Sequence, residues 1–226
     1  MRLDSIQGLR ALAAYLVVFY HIRAAEFTAG RNFRQTDTSF ISDIFGNAYA
    51  GVDLFFVISG FIMVYVSASK PENLTTLKDF LLARIFRIYP PWWLFASVMA
   101  VYLFLTYRVP WDAVALAEKG NTGLNYVIRS YLLLPQPNSP LLGVGWTLVH
   151  EMYFYVAFAA LLMAPRRLLP AWLAVWAMVV IAGALSGYAN LTATNFLQLI
   201  FHPMTLQFIC GALAGWLFVS GVRVQP

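Results

Sequence analysis

Four groups of residues in this sequence have types and spacings that could carry out chemistry. The first is Arg10 with His21, inside the apolar run from Leu9 to Ile22 that reads L-R-A-L-A-A-Y-L-V-V-F-Y-H-I. At ~100° and 1.5 Å per residue the two fall within about 20° of one another on a helix face, ~16 Å apart along the axis. Ionisable groups in such a run are costly and usually face a protein interior or a wet cavity. A neutral imidazole can take a proton from a hydroxyl, and a carboxylate on its other nitrogen would fix the tautomer. Two acids qualify as that partner: Asp53 in G-V-D-L-F-F-V-I-S-G-F and Glu151 in V-G-W-T-L-V-H-E-M-Y-F-Y. The next group is Arg84 with Arg87, which share a helix face and suit bidentate recognition of phosphate. The last is Trp146 and Thr147, just ahead of Glu151; Thr147 lies four residues from the acid and on its face.

Each group also has a plainer reading. A histidine at the edge of an apolar run can simply meet lipid headgroups, and paired arginines beside such a run can be a topology signal. Glu151 could be satisfied by Thr147 or by a tyrosine hydroxyl, with only packing at stake. His150 points about 100° away from its neighbour Glu151 and reads as interfacial or structural. His202, ahead of Pro203, reads as a kink-site residue. No metal centre is expected, because the three histidines have no ligand spacing. The sequence has no Gly-x-Ser-x-Gly elbow, P-loop or dinucleotide fingerprint, so a reaction here would need a substrate that brings its own activated group.

The elements that must position these residues are apolar spans. Of 226 residues 61% are hydrophobic and 11% charged, with mean hydropathy +0.69; a soluble domain is typically about a quarter charged. The net charge of +5 comes from basic residues at the ends of apolar runs, as membrane topology requires. No Lys/Arg-rich block with interleaved aromatics occurs, so nucleic acid is not an expected partner. A single cysteine, Cys210, excludes an intramolecular disulfide. The N-terminal run is read as a retained first helix, since Asp4 and Arg10 interrupt a signal-peptide pattern.

Spans are expected at Ile6–Ala25, Gly46–Ser67, Trp92–Tyr107, Leu142–Met163, Leu168–Leu185 and Phe196–Ser220. An amphipathic approach helix covers Leu74–Arg87, and Pro90-Pro91 kink or restart it. Leu124–Leu134 is apolar but short and carries Arg129, which reads as a re-entrant or interfacial piece. The fold class is therefore all-α: a polytopic transmembrane helix bundle of about six spans plus one short segment. With a cytoplasmic N-terminus the inside holds Arg2, Arg10, Lys70, Lys78, Arg84, Arg87, Arg166, Arg167 and Arg223, and the outside Arg23, Arg31, Arg34, Arg108, Lys119 and Arg129. This counting puts His21, Asp53 and Glu151 towards the outer leaflet and Arg10, Arg84 and Arg87 towards the cytoplasm.

Taken in order, L-D-S-I-Q-G-L-R-A-L-A with Arg10 and His21, then G-V-D-L-F-F-V-I-S-G-F, R-I-F-R-I-Y-P and G-W-T-L-x-x-E-x-x-F-Y resemble the membrane-bound acyltransferase-3 family. The likeness is greatest to members that modify exopolysaccharides. The resemblance implies O-acyl transfer, with an acyl group, typically acetyl, passing from acetyl-coenzyme A to a hydroxyl of a surface or exported polysaccharide. His21 then corresponds to the catalytic histidine, Arg10 to its motif partner, and Asp53 and Glu151 to the acids of the second-helix and tryptophan motifs. Arg84 and Arg87, joined by Arg10, would hold the phosphates of the donor, while Trp146 and Thr147 would meet substrate. Transfer could be direct or pass through an acyl-histidine.

The same resemblance implies no permanently bound cofactor; the expected partners are acyl-coenzyme A, a lipid-linked or polymeric carbohydrate and the bilayer. A multi-pass protein of the inner (plasma) membrane with a cytoplasmic N-terminus is expected, alone, as an oligomer or within a polysaccharide assembly complex. Residues 1–226 read as a single integral-membrane acyltransferase-like domain. They supply fewer spans than the family's domains, hence either a C-terminally truncated or a compact member. Two rival readings are a transporter or flippase, since intramembrane His, Asp and Glu also build proton relays, and a non-catalytic partner of the assembly complex.

Overall fold

The computed structural model describes residues 4–31, 49–107, 123–189 and 193–221. All regular structure among them is helical: α1 (Asp4–Arg31), α2 (Ala50–Ser67), α3 (Leu74–Tyr107), α4 (Gly123–Tyr131), α5 (Gly145–Leu161), a 3₁₀ turn (Arg166–Leu168), α6 (Leu169–Leu185), α7 (Phe196–Ile200) and α8 (Met204–Val219). Five segments are long and apolar enough to cross a membrane: Asp4–Ile22, Ala50–Ser67, Leu74–Leu105, Arg166–Leu185 and Phe196–Val219. The sixth expected crossing is α5. Its 17 residues make ~25 Å of helix, at the lower limit of what a crossing needs.

Three boundaries differ from the sequence reading. Helix α1 runs to Arg31 instead of ending near Ala25. The approach helix and third span form one 34-residue helix through Pro90 and Pro91. Adjacent prolines withdraw only two N–H donors, so only the carbonyls of Phe86 and Arg87 lose their intrahelical partners. Asn73 caps its start, with the Asn73 side-chain oxygen accepting from the Thr76 N–H at 2.8 Å. The last expected span is interrupted at Phe201–Pro203, between α7 and α8. His202 sits at that break, and its Nδ1 accepts the Met204 N–H at 3.2 Å.

The chain divides into two compact units. One comprises residues 1–66 and 207–226. In it α2 and α8 approach backbone to backbone through glycine. A Cβ on Gly60 would strike the Phe208 carbonyl and the Ala212 nitrogen, one on Gly211 the Val57 carbonyl, and one on Gly215 the Phe61 carbonyl. Gly211 and Gly215 form the small-xxx-small pattern that permits such proximity between membrane helices. Helix α1 meets the start of α2 closely: a Cβ on Gly51 would touch the Ala13 carbonyl, Leu16 and Val17. Leu12, Tyr15, Val18, Phe19 and Ile22 are exposed.

The other unit comprises residues 67–206. Its core joins α3 and α5 through Phe80, Phe154, Tyr155 and Phe158, and continues to Leu173 and Val180 of α6. The short helix α4 and the loop after it are held by α3. Tyr89 donates its hydroxyl to the Leu132 carbonyl (2.9 Å), Trp92 its indole N–H to the Ser130 carbonyl (3.0 Å) and Trp93 its own to the Tyr131 carbonyl (3.0 Å). Arg129 donates to Asn125 and to the Pro135 carbonyl. Irregular backbone is tolerated at membrane depth only when such groups are satisfied, so this bonding makes the short segment possible.

Ser130 is fully buried, and its Oγ accepts from Gln136 Nε2 (2.9 Å) and the Leu141 N–H (3.3 Å). Ser130→Ala removes one acceptor from two buried donors. The expected result is destabilisation of about 1–3 kcal/mol, read as a lower melting temperature of the detergent-solubilised protein; an unchanged melting curve would show that the loop is held without Ser130.

Candidate functional site

In the first unit, Arg10, Ala13, Val17 and His21 lie along one face of α1 (3.6 residues per turn). That is the face on which Ala13 and Val17 meet the start of α2. The His21 Nδ1–H donates to the Val17 carbonyl at 2.8 Å. A carbonyl can only accept, so Nδ1 carries the proton, and whenever the ring is neutral its lone pair is at Nε2. The His21 side chain is exposed, with Tyr20 edge-on at 5.5 Å between ring centroids, and Tyr20 in turn lies edge-on to Tyr49 at 5.9 Å.

Asp53 lies in the first turn of α2, shallower than the sequence count suggested because α2 begins at Ala50. An acid there is favoured by the partial positive charge of the helix N-terminus. Its Oδ1 accepts from Gln207 Nε2 of α8 at 2.8 Å. Of the two acids that the sequence left open as partner of His21, Asp53 and the imidazole have these separate hydrogen-bond partners. The imidazole is oriented by its own helix, and the carboxylate is held by Gln207. Asp53 also acts electrostatically on Tyr49, whose hydroxyl is held above the ordinary phenol range by burial first and by that negative charge second.

In the second unit the structure gathers Arg84, Arg87 and Glu151. The Tyr155 hydroxyl donates to Glu151 Oε1, and the Arg84 guanidinium lies 5.5 Å from the centre of the Tyr155 ring and 5.3 Å from that of Phe80. Arg87 and Glu151 both act on Arg84 through their charges. Arg84 is half-buried and Arg87 exposed.

The sequence count puts Glu151 and Arg84 towards opposite sides of the membrane; the structure brings them together. Helix α3 is ~51 Å long and Arg84 lies ~15 Å along it, far enough to meet the turn of α5 that carries Glu151 and Tyr155. Trp146 and Thr147 occupy the first turn of α5. The Thr147 hydroxyl donates to the Val144 carbonyl at 2.9 Å, so among the hydroxyls the sequence left open for Glu151 it is Tyr155 that serves. The Trp146 ring stands edge-on to His150 at 5.8 Å, and the buried His150 ring lies 4.3 Å from that of His202.

Sequence reasoning assigned no role to Tyr155, Phe80 or Gln207. The first two carried a signal: Tyr155 stands four residues after Glu151, and Phe80 four before Arg84, which places each on its partner's face. Gln207 is 154 residues from Asp53 and no local pattern pairs them.

A membrane-helical chain with this set of intramembrane His, Asp, Glu and Arg residues is matched by one family model. The chain belongs to the acyltransferase-3 family, whose model, described as an acyltransferase domain, matches residues 3–223. Among curated proteins it is similar to the exopolysaccharide production protein ExoZ of Rhizobium meliloti, 34% identical over 184 residues, covering 78% of this chain and 53% of ExoZ. It is also similar to protein 2 in the picA locus of Rhizobium radiobacter, 28% identical over 166 residues, covering 68% of this chain and 79% of that one. Similarity to the peptidoglycan O-acetyltransferase OatA of Listeria monocytogenes is 29% over 169 residues, covering 70% of this chain and 24% of OatA. The chain thus spans about half the length of ExoZ and about a quarter of OatA. No solved structure matches it.

Proposed function

We propose that this chain is an integral-membrane O-acyltransferase that moves an acetyl group from acetyl-coenzyme A to a hydroxyl of an exported polysaccharide, the class of polymer in whose production the name of ExoZ places that relative. The observation that carries the reaction class is the family match over residues 3–223. The role of His21 draws support from its tautomer, because the bond from Nδ1 to Val17 leaves Nε2 as the basic atom. Nε2 takes the hydroxyl proton as the sugar oxygen attacks the thioester carbon. The tetrahedral intermediate collapses with loss of the coenzyme A thiolate, which takes up the proton that His21 returns.

Arg84 and Arg87 bind the phosphates of the donor, a role that the family resemblance also gives to Arg10. Asp53 supports the site through Gln207, and Glu151 acts within the donor cluster. Trp146 and Thr147 serve the substrate, the indole N–H offering a donor for the oxyanion. In this reading the protein lies in the inner membrane with its N-terminus in the cytoplasm, where acetyl-coenzyme A is made. The test is the polysaccharide itself. Deleting the gene is expected to abolish O-acetyl signals in its proton NMR spectrum, and a deletion strain with undiminished acetylation would overturn the reading.

A further inference from the structure

We propose that Tyr155 is the positioning residue of the donor site: it holds the Arg84 guanidinium in place for phosphate before the donor arrives. The inference rests on the donor role given above to Arg84. An arginine side chain in an apolar setting usually has many rotamers, and ordering them on binding weakens affinity. Here two aromatic faces flank the guanidinium, Phe80 from its own helix and Tyr155 from α5, at 5.3 and 5.5 Å. Its Nε is buried and without a hydrogen-bond partner among the described residues, so the rings provide the seat.

Tyr155 is suited to the task because it cannot move. It is 1% exposed, Phe80 stands perpendicular to it at 6.3 Å, and its hydroxyl is tied to Glu151 one turn earlier on α5. A relay runs from the acid through the phenol to the guanidinium: Glu151 fixes the ring, and the ring fixes Arg84. Arg87, one turn on and exposed, has no such seat. The pair thus combines a ring-flanked cation with an exposed one.

The experiment measures coenzyme A binding by calorimetry on the full chain in lipid nanodiscs, and steady-state acetyl transfer on the same preparations. Arg84→Ala is expected to weaken binding about tenfold or more. Tyr155→Leu, which removes ring and hydroxyl, is expected to weaken it about five- to tenfold, with a matching rise in KM and kcat within about twofold. Tyr155→Phe keeps the ring and loses the hydroxyl, with its tether to Glu151 and its polar interaction with Arg84, for a change of about two- to threefold. The double variant Arg84→Ala/Tyr155→Leu should bind no worse than Arg84→Ala alone, because Tyr155 acts through Arg84.

Additive losses in the double variant, or a Tyr155→Leu protein that binds coenzyme A like the parent while Arg84→Ala does not, would overturn the positioning role and leave the donor site standing. An Arg84→Ala protein with undiminished binding would overturn the donor site itself. Should Tyr155→Leu fail to fold, the same cycle run with Tyr155→Phe decides between these outcomes.

Discussion

Replacing His21 by alanine is expected to lower acetyl transfer by about 10²–10⁴-fold, the usual contribution of a general base, while coenzyme A binding stays unchanged. The separation of the two readouts follows from role. His21, bonded to the Val17 carbonyl of its own helix, handles the hydroxyl proton, whereas Arg84 and Arg87 are assigned to the donor phosphates. His21→Gln provides the sharper comparison. Glutamine can offer polar atoms near the same place but cannot accept and return a proton, so it should be as inactive as alanine. If His21→Gln retained more than about a tenth of the parent rate, proton transfer by the ring would be the wrong role. Polysaccharide exported at normal levels but without acetyl groups in a His21→Ala strain would also separate catalysis from transport, since a proton-relay transporter would lose export itself.

The second large effect concerns the backbone contact between α2 and α8. Gly60→Val places a branched side chain where the Phe208 carbonyl and Ala212 nitrogen already sit. Neither neighbour is the flexible end of a side chain, so the helices must separate. Overpacking typically costs about 1–3 kcal/mol and occasionally more, and here the contact is with main chain on both sides. The hydrogen bond from Gln207 to Asp53 joins the same two helices and should be lost with it. The expected result is little or no monodisperse protein by size-exclusion chromatography in detergent. Gly8→Ala is the internal control: nothing lies within 4 Å of the point where its Cβ would stand, and alanine favours helix by roughly 0.5–1 kcal/mol. If Gly60→Val and Gly8→Ala proteins melt alike, α2 and α8 are not held by close approach.

The helical class and most segments were legible because apolar runs punctuated by charge are a strong signal. The pattern for α3 misled at Pro90 and Pro91: a proline usually marks a helix end, yet the apolar neighbours Ile88, Trp92 and Ala96, all buried, reward continuing the helix past it. The final span broke at His202-Pro203 instead, where the histidine supplies an acceptor for the Met204 N–H. The residues of the candidate site were legible by type, since acids and guanidiniums in apolar runs are conspicuous. Their pairings were not. Asp53 finds Gln207 across 154 residues, and Glu151 meets Arg84 beside Tyr155. Such pairings depend on which helices pack together, and single-helix periodicity does not contain that information.

The bond from His21 to Val17 also bears on motion. A histidine aimed by a carboxylate on another helix loses its aim whenever the two helices slide. This imidazole takes its bearings from a carbonyl one turn back on its own helix, so the proton on Nδ1 travels with α1 as a rigid fixture. Any movement of α1 against its neighbours would therefore leave unchanged which nitrogen is basic.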